Sequence, residues 1–217
     1  MDEFSATHVL ELLTRLQHIR PAVFGSDQHQ WALNEPLSEN AIAEFERCLS
    51  IRLPNEYRSF IARVGNGGAG PYYGVFPLGM VDDNFGLRRW HVNDGLVNDP
   101  SKPFALTHEW NDTSGMPSDD LADQDQIEYD RRMENFADAY LRSDRLRGAI
   151  PICHQGCALR IWLVVTGEAA GHLWDDRLSE YGGIRPLMLR SGSPATFGTW
   201  YIEWLKDCLR VGENAPH

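Results

Sequence analysis

A run of five apolar residues, Ile161-Trp-Leu-Val-Val, constrains the fold of this chain more than any other feature of its sequence. Successive side chains of a β-strand point to opposite faces of the sheet. A strand that is apolar on both faces must therefore be buried on both, as the inner strands of a sheet are. We expect residues 161–165 to form a central strand.

Segments on either side of this run have the composition of further strands. Residues 150–153 and 157–165 are predicted to form a hairpin that turns at His154-Gln155-Gly156. A glycine-containing turn then leads into a strand at residues 172–176. Two more segments are rich in strand-forming residues, the second being the weaker candidate: 72–78 and 104–107.

Helices are predicted in five segments where apolar residues recur at the 3.6-residue period: 5–19, 38–49, 54–64, 118–141 and 194–209. Ser38 is a suitable N-cap for the second of them. Asp119 and Asp120 lie at the positive N-terminal end of the fourth. Helices at both ends, with antiparallel strands and short turns between them, indicate an α+β fold. We expect a mainly antiparallel β-sheet with helices packed around it.

The net charge of −11 is unevenly distributed along the chain. Residues 109–138 contain ten acidic residues and two arginines, a net charge of −8, which leaves −3 for the rest. A nucleic-acid-binding surface needs positive charge. We therefore expect no direct nucleic-acid binding, and a protein partner with a basic surface instead. The alternative is that the acidic segment is a solvated helix face that keeps the protein soluble.

The sequence also indicates a cytoplasmic protein that does not bind membranes. No segment approaches the ~18 consecutive apolar residues of a membrane-spanning helix. Met1-Asp-Glu-Phe has neither the basic start nor the apolar run of a signal peptide. The four cysteines fit this compartment, and we expect them to pack as small apolar side chains: Cys48, Cys153, Cys157 and Cys208.

Candidate catalytic groups are few. The glycine-rich segment 65–71 follows a predicted helix and precedes a predicted strand. Phosphate-binding loops have the opposite order, so this segment is predicted to be a structural turn. His154 lies between Cys153 and Cys157, but a catalytic pair needs a direct contact that sequence spacing does not show. We predict no catalytic residue and no cofactor.

A metal site at residues 172–176 is also disfavoured. His172, Asp175 and Asp176 have suitable ligand atoms. Alternation along a strand, however, places His172 and Asp176 on one face and Asp175 on the other. We interpret these residues as a strand that runs into an Asp-rich turn, and we predict no metal ion.

Four short motifs occur in a fixed order: Leu53-Pro-Asn-Glu-Tyr-Arg-Ser-Phe-Ile with Asn66-Gly-Gly-Ala-Gly-Pro-Tyr-Tyr-Gly-Val-Phe-Pro-Leu, Pro151-Ile-Cys-His-Gln-Gly-Cys through Leu163-Val-Val-Thr-Gly, Gly171-His-Leu-Trp-Asp-Asp, and Thr196-Phe-Gly-Thr-Trp-Tyr-Ile-Glu-Trp-Leu. This pattern resembles the SUKH superfamily, in the SMI/KNR-like branch named for fungal cell-wall regulators. The resemblance extends from about Leu37 to Leu209.

The resemblance implies an α+β domain whose shared motif residues are structural. We expect one domain over residues 1–217, with a core at about 37–209 and the helix at 5–20 as an extension. We expect core positions for Leu53, Tyr57 and Phe60. We expect turn positions for Gly68 and Gly70, and packing roles for Trp174 and Trp204.

The resemblance also implies a function by binding. Bacterial members of the superfamily are mostly immunity proteins that block a toxin domain, often a nuclease, of polymorphic or contact-dependent toxin systems. We therefore expect a non-enzymatic immunity protein. Two alternatives remain: a scaffold with several protein partners, as in the fungal branch, and a small hydrolase that uses Cys157, His154 and a nearby Asp.

The predicted partner-binding residues combine acidic and aromatic side chains. Six carboxylates of the acidic segment are expected to attract a basic partner: Asp119, Asp120, Asp123, Asp125, Glu128 and Asp130. Tyr72, Tyr73 and Trp90 are expected to be exposed anchors, because Tyr and Trp dominate the binding energy of protein interfaces.

Overall fold

The structure, a computed structural model, describes residues 4–83 and 86–214. Within these ranges the chain forms helices α1 (Ala6–Ile19), α2 (Ser26–His29), α3 (Glu39–Leu49), α4 (Asn55–Arg63), α5 (Asp119–Gln124), α6 (Gln126–Tyr140) and α7 (Phe197–Glu213). The strands are β1 (Met80–Asp83), β2 (Gly86–Arg89), β3 (Ala149–Gly156), β4 (Leu159–Val164), β5 (Leu173–Asp176) and β6 (Ile184–Pro186). All strand pairs of the described residues are antiparallel, which confirms the α+β class.

The main sheet has the order β3-β4-β5-β6, which places β4 inside it as predicted. Ile161, Trp162, Leu163 and Val164 are all fully buried, because both faces of β4 are covered. The β3–β4 turn was predicted at residues 154–156, but these residues belong to β3. Two register irregularities in β3 move the turn forward to residues 157–158.

The segment at residues 72–78 was predicted to be a strand and is not one. It lies along the outer edge of β3 and makes single bridges rather than a continuous ladder, such as Val75 with Cys153. Residues 104–107 do not form a strand either, although the backbone N–H of Phe104 donates to the Thr166 carbonyl. In the segment at residues 72–78, Gly74 and Pro77 interrupt the regular backbone hydrogen bonding that a strand needs.

The small β1–β2 sheet was not predicted from the sequence. Its strands are short, and Leu87 is exposed, so the apolar alternation that identifies a strand is weak there. Arg160 of β4 donates to the Asp82 carboxylate of β1, with Nε 3.0 Å from Oδ1, and this contact connects the two sheets.

The predicted helix at residues 118–141 is two helices. Asp125 has an extended backbone, with φ −151° and ψ 88°, and its Oδ1 accepts a hydrogen bond of 3.1 Å from the Glu128 N–H. This is the geometry of an N-cap, which starts a new helix at Gln126. Helices form on each side of Asp125, and Phe136 and Tyr140 of α6 are buried as the periodicity predicted, but the capping preference of Asp overrides helix continuity at residue 125.

The terminal helices contribute to one hydrophobic core. Four residues of α1 are buried in it, as the periodicity predicted: Val9, Leu12, Leu13 and Leu16. Helix α7 begins after Thr196, whose side chain forms a reciprocal capping box with Thr199, and it buries Phe197, Tyr201 and Leu205. None of the helices in the described ranges is long and apolar enough to cross a membrane.

Two sequence-based expectations about polar residues are wrong. Asp175 and Asp176 do not lie in an exposed turn but are buried within β5. Cys48 was expected in the core, yet it is exposed on α3, where its thiol lies 3.2 Å from Glu44 Oε1. Cys157 is also exposed, at the β3–β4 turn, while Cys153 and Cys208 are buried as expected.

Candidate protein-interaction surfaces

The acidic segment forms an exposed surface on α5 and the first turns of α6. Asp119 and Asp120 occupy the first turn of α5, where the positive end of the helix dipole stabilises carboxylates. Together with Asp123 they are exposed, and none of the three forms an ion pair with a described residue. These three carboxylates are therefore available to a cationic partner.

The other three predicted carboxylates already have local partners. Asp125 caps α6, and Asp130 accepts a hydrogen bond of 2.7 Å from the Gln126 side chain. Glu128 accepts from Arg131 and Arg132 at 2.7 and 2.8 Å. These hydrogen bonds lower the pKa of Glu128 to about 2, and the one from Arg131 has the larger effect. Glu128 therefore contributes less free negative charge than the sequence suggested.

An apolar side chain lies among these carboxylates. Ile127, in the first turn of α6, is 83% exposed, the highest value of any large apolar residue in the described ranges. Ile127 was not among the predicted binding residues, although an isoleucine between an amide and a charged residue was a visible signal. We use the term acidic surface for Asp119, Asp120, Asp123 and Ile127.

The two predicted tyrosines lie elsewhere, beside an aromatic residue that was not predicted to bind a partner. Phe24 contacts the rings of Tyr72 and Tyr73, with centroids 6.4 and 5.1 Å apart. Tyr73 is exposed and its ring also packs on His154, whereas Tyr72 is half-buried. Tyr72 has φ 54°, a left-handed conformation that is unfavourable for residues with a side chain.

Phe24 and Tyr72 line a groove of about 680 Å³ between α7 and the loop after β6. We use the term aromatic groove for this groove and refer to it by five of its apolar lining residues: Phe24, Tyr72, Met188, Trp204 and Val211. Phe24, Met188 and Val211 are exposed. Their signal in the sequence was weak, because no periodic pattern distinguishes Phe24 and Met188 from their apolar neighbours, and Val211 lies beyond the apolar stripe of α7.

Trp90, the third predicted anchor, is not exposed, and that expectation is wrong. Only 4% of its surface is accessible, because its ring packs edge-on against Phe45 of α3. Its indole Nε1 has no hydrogen-bond partner among the described residues. A tryptophan flanked by arginine and histidine resembles a surface residue in sequence, and only the tertiary contact with Phe45 buries it.

The structure does not bring the acidic and tyrosine sets together. No hydrogen bond, ion pair or ring contact of the described residues connects Tyr72 or Tyr73 to α5 or α6. The predicted site therefore divides into two separate surfaces.

The cysteine and histidine residues of the hydrolase alternative do not form a pair in the described structure. The Cys153 thiol is buried and lies 3.3 Å from the Pro71 carbonyl, and burial raises its pKa well above the usual value. His154 Nδ1 lies 3.4 Å from Asp82 Oδ2, and the only thiol contact of His154 among the described residues is from Cys153 to its backbone carbonyl, at 3.7 Å. No group of three or more potential metal ligands occurs in the described ranges.

The model of the SMI1 / KNR4 family (SUKH-1) matches residues 36–174, which is more than half of the chain. The chain belongs to this family. Comparison with curated proteins and with solved structures gave no match. The SUKH family is generally non-enzymatic.

The SMI1 / KNR4 motif residues have the structural positions that the sequence resemblance implied. Leu53, Tyr57 and Phe60 are buried in the core, and Trp174 is buried in β5. Gly68 has φ 106°, and a side chain at this position would collide with the Ala32 carbonyl. The closing motif on α7 lies beyond the matched residues and packs onto the same core.

Proposed function

We propose that this protein is a cytoplasmic, non-enzymatic immunity protein that binds and neutralises a toxin domain with a basic surface. Membership of the SMI1 / KNR4 family supports a role in protein binding. A nuclease domain of a polymorphic or contact-dependent toxin system fits the proposed partner, because a cleft that binds nucleic acid is positively charged.

The observation that carries this proposal is the arrangement of unpaired carboxylates on the acidic surface. Asp119, Asp120 and Asp123 have no ion pair with a described residue, so they bring negative charge that the fold does not use. Charges of one sign on an exposed surface accelerate association with an oppositely charged partner, and added salt reduces the effect. Ile127, which follows these carboxylates in the first turn of α6, offers an exposed apolar contact to the bound partner.

The first experiment is a neutralisation screen. Fragments of the genome that encodes this chain are expressed one at a time, with and without the protein. We expect at least one toxic fragment, such as the C-terminal domain encoded by the adjacent upstream gene, whose toxicity the protein suppresses through a stable complex. If the protein suppresses none of the toxic fragments, the immunity function is wrong and a scaffold function takes its place.

The acidic surface is tested with two triple variants of equal charge. Asp119→Lys, Asp120→Lys and Asp123→Lys together change the net charge from −11 by +6, to −5. Glu11→Lys, Glu35→Lys and Glu168→Lys make the same change at exposed positions outside the acidic segment. We expect the first variant to slow association about tenfold or more at low salt and to flatten its salt dependence.

The control variant distinguishes local from overall charge. It should associate at close to the rate of the natural protein, since its substitutions lie elsewhere on the surface. Equal effects of the two variants would show that only the net charge matters. No effect of either variant on the association rate would remove the acidic surface from the interface.

A further inference from the structure

The aromatic groove exposes several large apolar side chains to solvent. Phe24 is 63% exposed, and Met188 and Val211 are each 50% exposed. These three side chains come from three separate parts of the chain and line the same groove. Single exposed apolar residues are common on proteins, but a clustered set in a concave surface is characteristic of a binding site.

The walls of the groove are held in place by contacts with the core. Trp204 stacks on Trp31 with ring centroids 5.5 Å and planes 18° apart. Phe24 is held by its ring contacts with Tyr72 and Tyr73. Because these contacts already restrict the side chains, binding of a partner would cost little additional side-chain conformational entropy.

The charged residues of the groove are compensated within the protein on the β5 side. The Asp175 carboxylate accepts from Gln155 at 2.7 Å and from Arg185 at 3.0 Å. Arg177 lies 3.7 Å from Asp175 and also pairs with Glu180. Each guanidinium at this wall therefore has a carboxylate partner.

On the α7 side Asp207 is compensated in the same way, whereas Glu203 forms no ion pair with a described residue. Asp207 pairs with both Arg190 and Arg210, and Glu203 accepts from the Arg190 backbone N–H at 3.4 Å. A charged group entering the groove would lose its hydration, and beside Arg177 or Asp207 it would have to displace one of these partners. An uncharged apolar side chain has no such cost, so these ion pairs and the exposed apolar side chains of the groove together favour an uncharged occupant.

We infer that the aromatic groove receives an uncharged segment of the neutralised toxin domain, which inserts an aliphatic or aromatic side chain between Phe24, Met188 and Val211. This inference rests on the proposed function. It divides recognition between two surfaces, because the acidic surface attracts the basic partner and the aromatic groove retains it. Attraction governs the association rate, whereas a buried apolar anchor governs the dissociation rate.

The experiment measures association and dissociation rates of the toxin domain that the neutralisation screen identifies, with the full chain. Met188→Glu and Met188→Lys are compared with Leu87→Glu and Leu87→Lys, which alter a residue of β2 that is 55% exposed. We expect both Met188 variants to raise the dissociation rate at least about tenfold, as loss of an interface anchor does. Both Leu87 variants should dissociate as the natural protein does, and thermal unfolding should confirm that all four remain folded.

The pair of opposite charges identifies the occupant. If Met188→Glu strengthens binding and Met188→Lys weakens it, the occupant is cationic, and the reverse result identifies an anionic one; either result overturns the inference. Unchanged dissociation in both variants removes the groove from the interface while the proposed function stands. If the natural protein neutralises no toxin, the proposed function fails, and this occupant fails with it. A concentration-dependent dimer that Met188→Lys abolishes would instead show that a second copy of this chain fills the groove.

Discussion

The Tyr201 hydroxyl donates a hydrogen bond of 2.7 Å to the Ala69 carbonyl, which connects α7 to the glycine-rich turn 132 residues earlier in the chain. Both residues are fully buried. Burial raises the pKa of Tyr201, so the phenol stays protonated and remains a donor. The contact joins a motif inside the matched family region to a helix that lies beyond it.

Removing this hydroxyl should destabilise the protein. In Tyr201→Phe the Ala69 carbonyl loses its side-chain donor in the core, which costs about 1–3 kcal/mol of the free energy of unfolding. Urea unfolding measures the change. Tyr129→Phe is the control, because Tyr129 is half-buried on α6 and its hydroxyl has no hydrogen bond with a described residue. Equal stability of the two variants would contradict the prediction.

A second prediction concerns the pH dependence of stability. His29 Nδ1 accepts a hydrogen bond of 3.1 Å from the Trp31 N–H, so the buried ring is neutral in the folded state. Burial lowers its pKa, while the unfolded chain takes up the proton at about pH 6.5. As the pH falls through 6.5, the unfolded state therefore binds more protons than the folded state. The free energy of unfolding decreases until the pH reaches the pKa of His29 in the folded protein.

The variant His29→Asn tests this prediction. Asparagine can accept from the N–H two residues later but does not titrate in this range. We expect it to reduce the loss of unfolding free energy between pH 7.5 and 5.5, with a remainder from His154, whose pKa burial also lowers. The exposed His91→Asn is the control and should keep the full pH dependence. If His29→Asn retains the slope of the natural protein, another group is responsible.

Thiol chemistry provides a third prediction. Cys153 and Cys208 are buried, and burial raises the pKa of Cys208 to about 12. Cys48 and Cys157 are exposed, and a hydrogen bond to Glu44 raises the pKa of Cys48. A chromogenic disulfide reagent at pH 7.5 should therefore label two thiols in the native protein, Cys48 more slowly than a free thiol, and four after unfolding.

Cys157→Ala and Cys153→Ala identify the labelled thiols. The first should remove one native label and the second should remove none. Labelling of Cys153 in the native protein would contradict its buried position. Loss of neutralisation in Cys157→Ala would assign this turn a role that the two proposed surfaces do not include.

Local sequence patterns predicted the elements whose interactions are mostly local. The apolar period of α1 and the Ser38 N-cap are examples, since each depends on residues within a few positions. The central position of β4 followed from its apolar composition. Residues 72–78 show where local patterns fail, because this segment has the composition of a strand but forms isolated bridges along β3 rather than a ladder.

The candidate surfaces were less predictable, because exposure is a property of tertiary packing. Charge counting located the acidic segment, yet it could not show that Glu128 is neutralised by two arginines. Trp90 is buried by Phe45, a residue of the distant helix α3. The groove formed by Phe24, Met188 and Val211 combines residues that are far apart in sequence, so no local pattern indicates it.

The last prediction concerns Asp176, which the sequence placed in a turn and the structure places inside β5. Its Oδ2 accepts from the Trp162 indole N–H at 3.1 Å, and its Oδ1 accepts from the Leu178 N–H at 3.0 Å. Burial raises the pKa of this carboxyl, yet two donors depend on it.

Replacing Asp176 should therefore destabilise the protein in two steps. Asp176→Asn keeps one acceptor oxygen and leaves one donor unpaired, which costs about 1–3 kcal/mol of unfolding free energy. Asp176→Ala leaves both donors unpaired and should cost more, by roughly the same amount again. The exposed Asp123→Ala is the control and should stay within about 0.5 kcal/mol of the natural protein. If alanine is tolerated as well as asparagine, the two hydrogen bonds are not what retains an aspartate at this buried position.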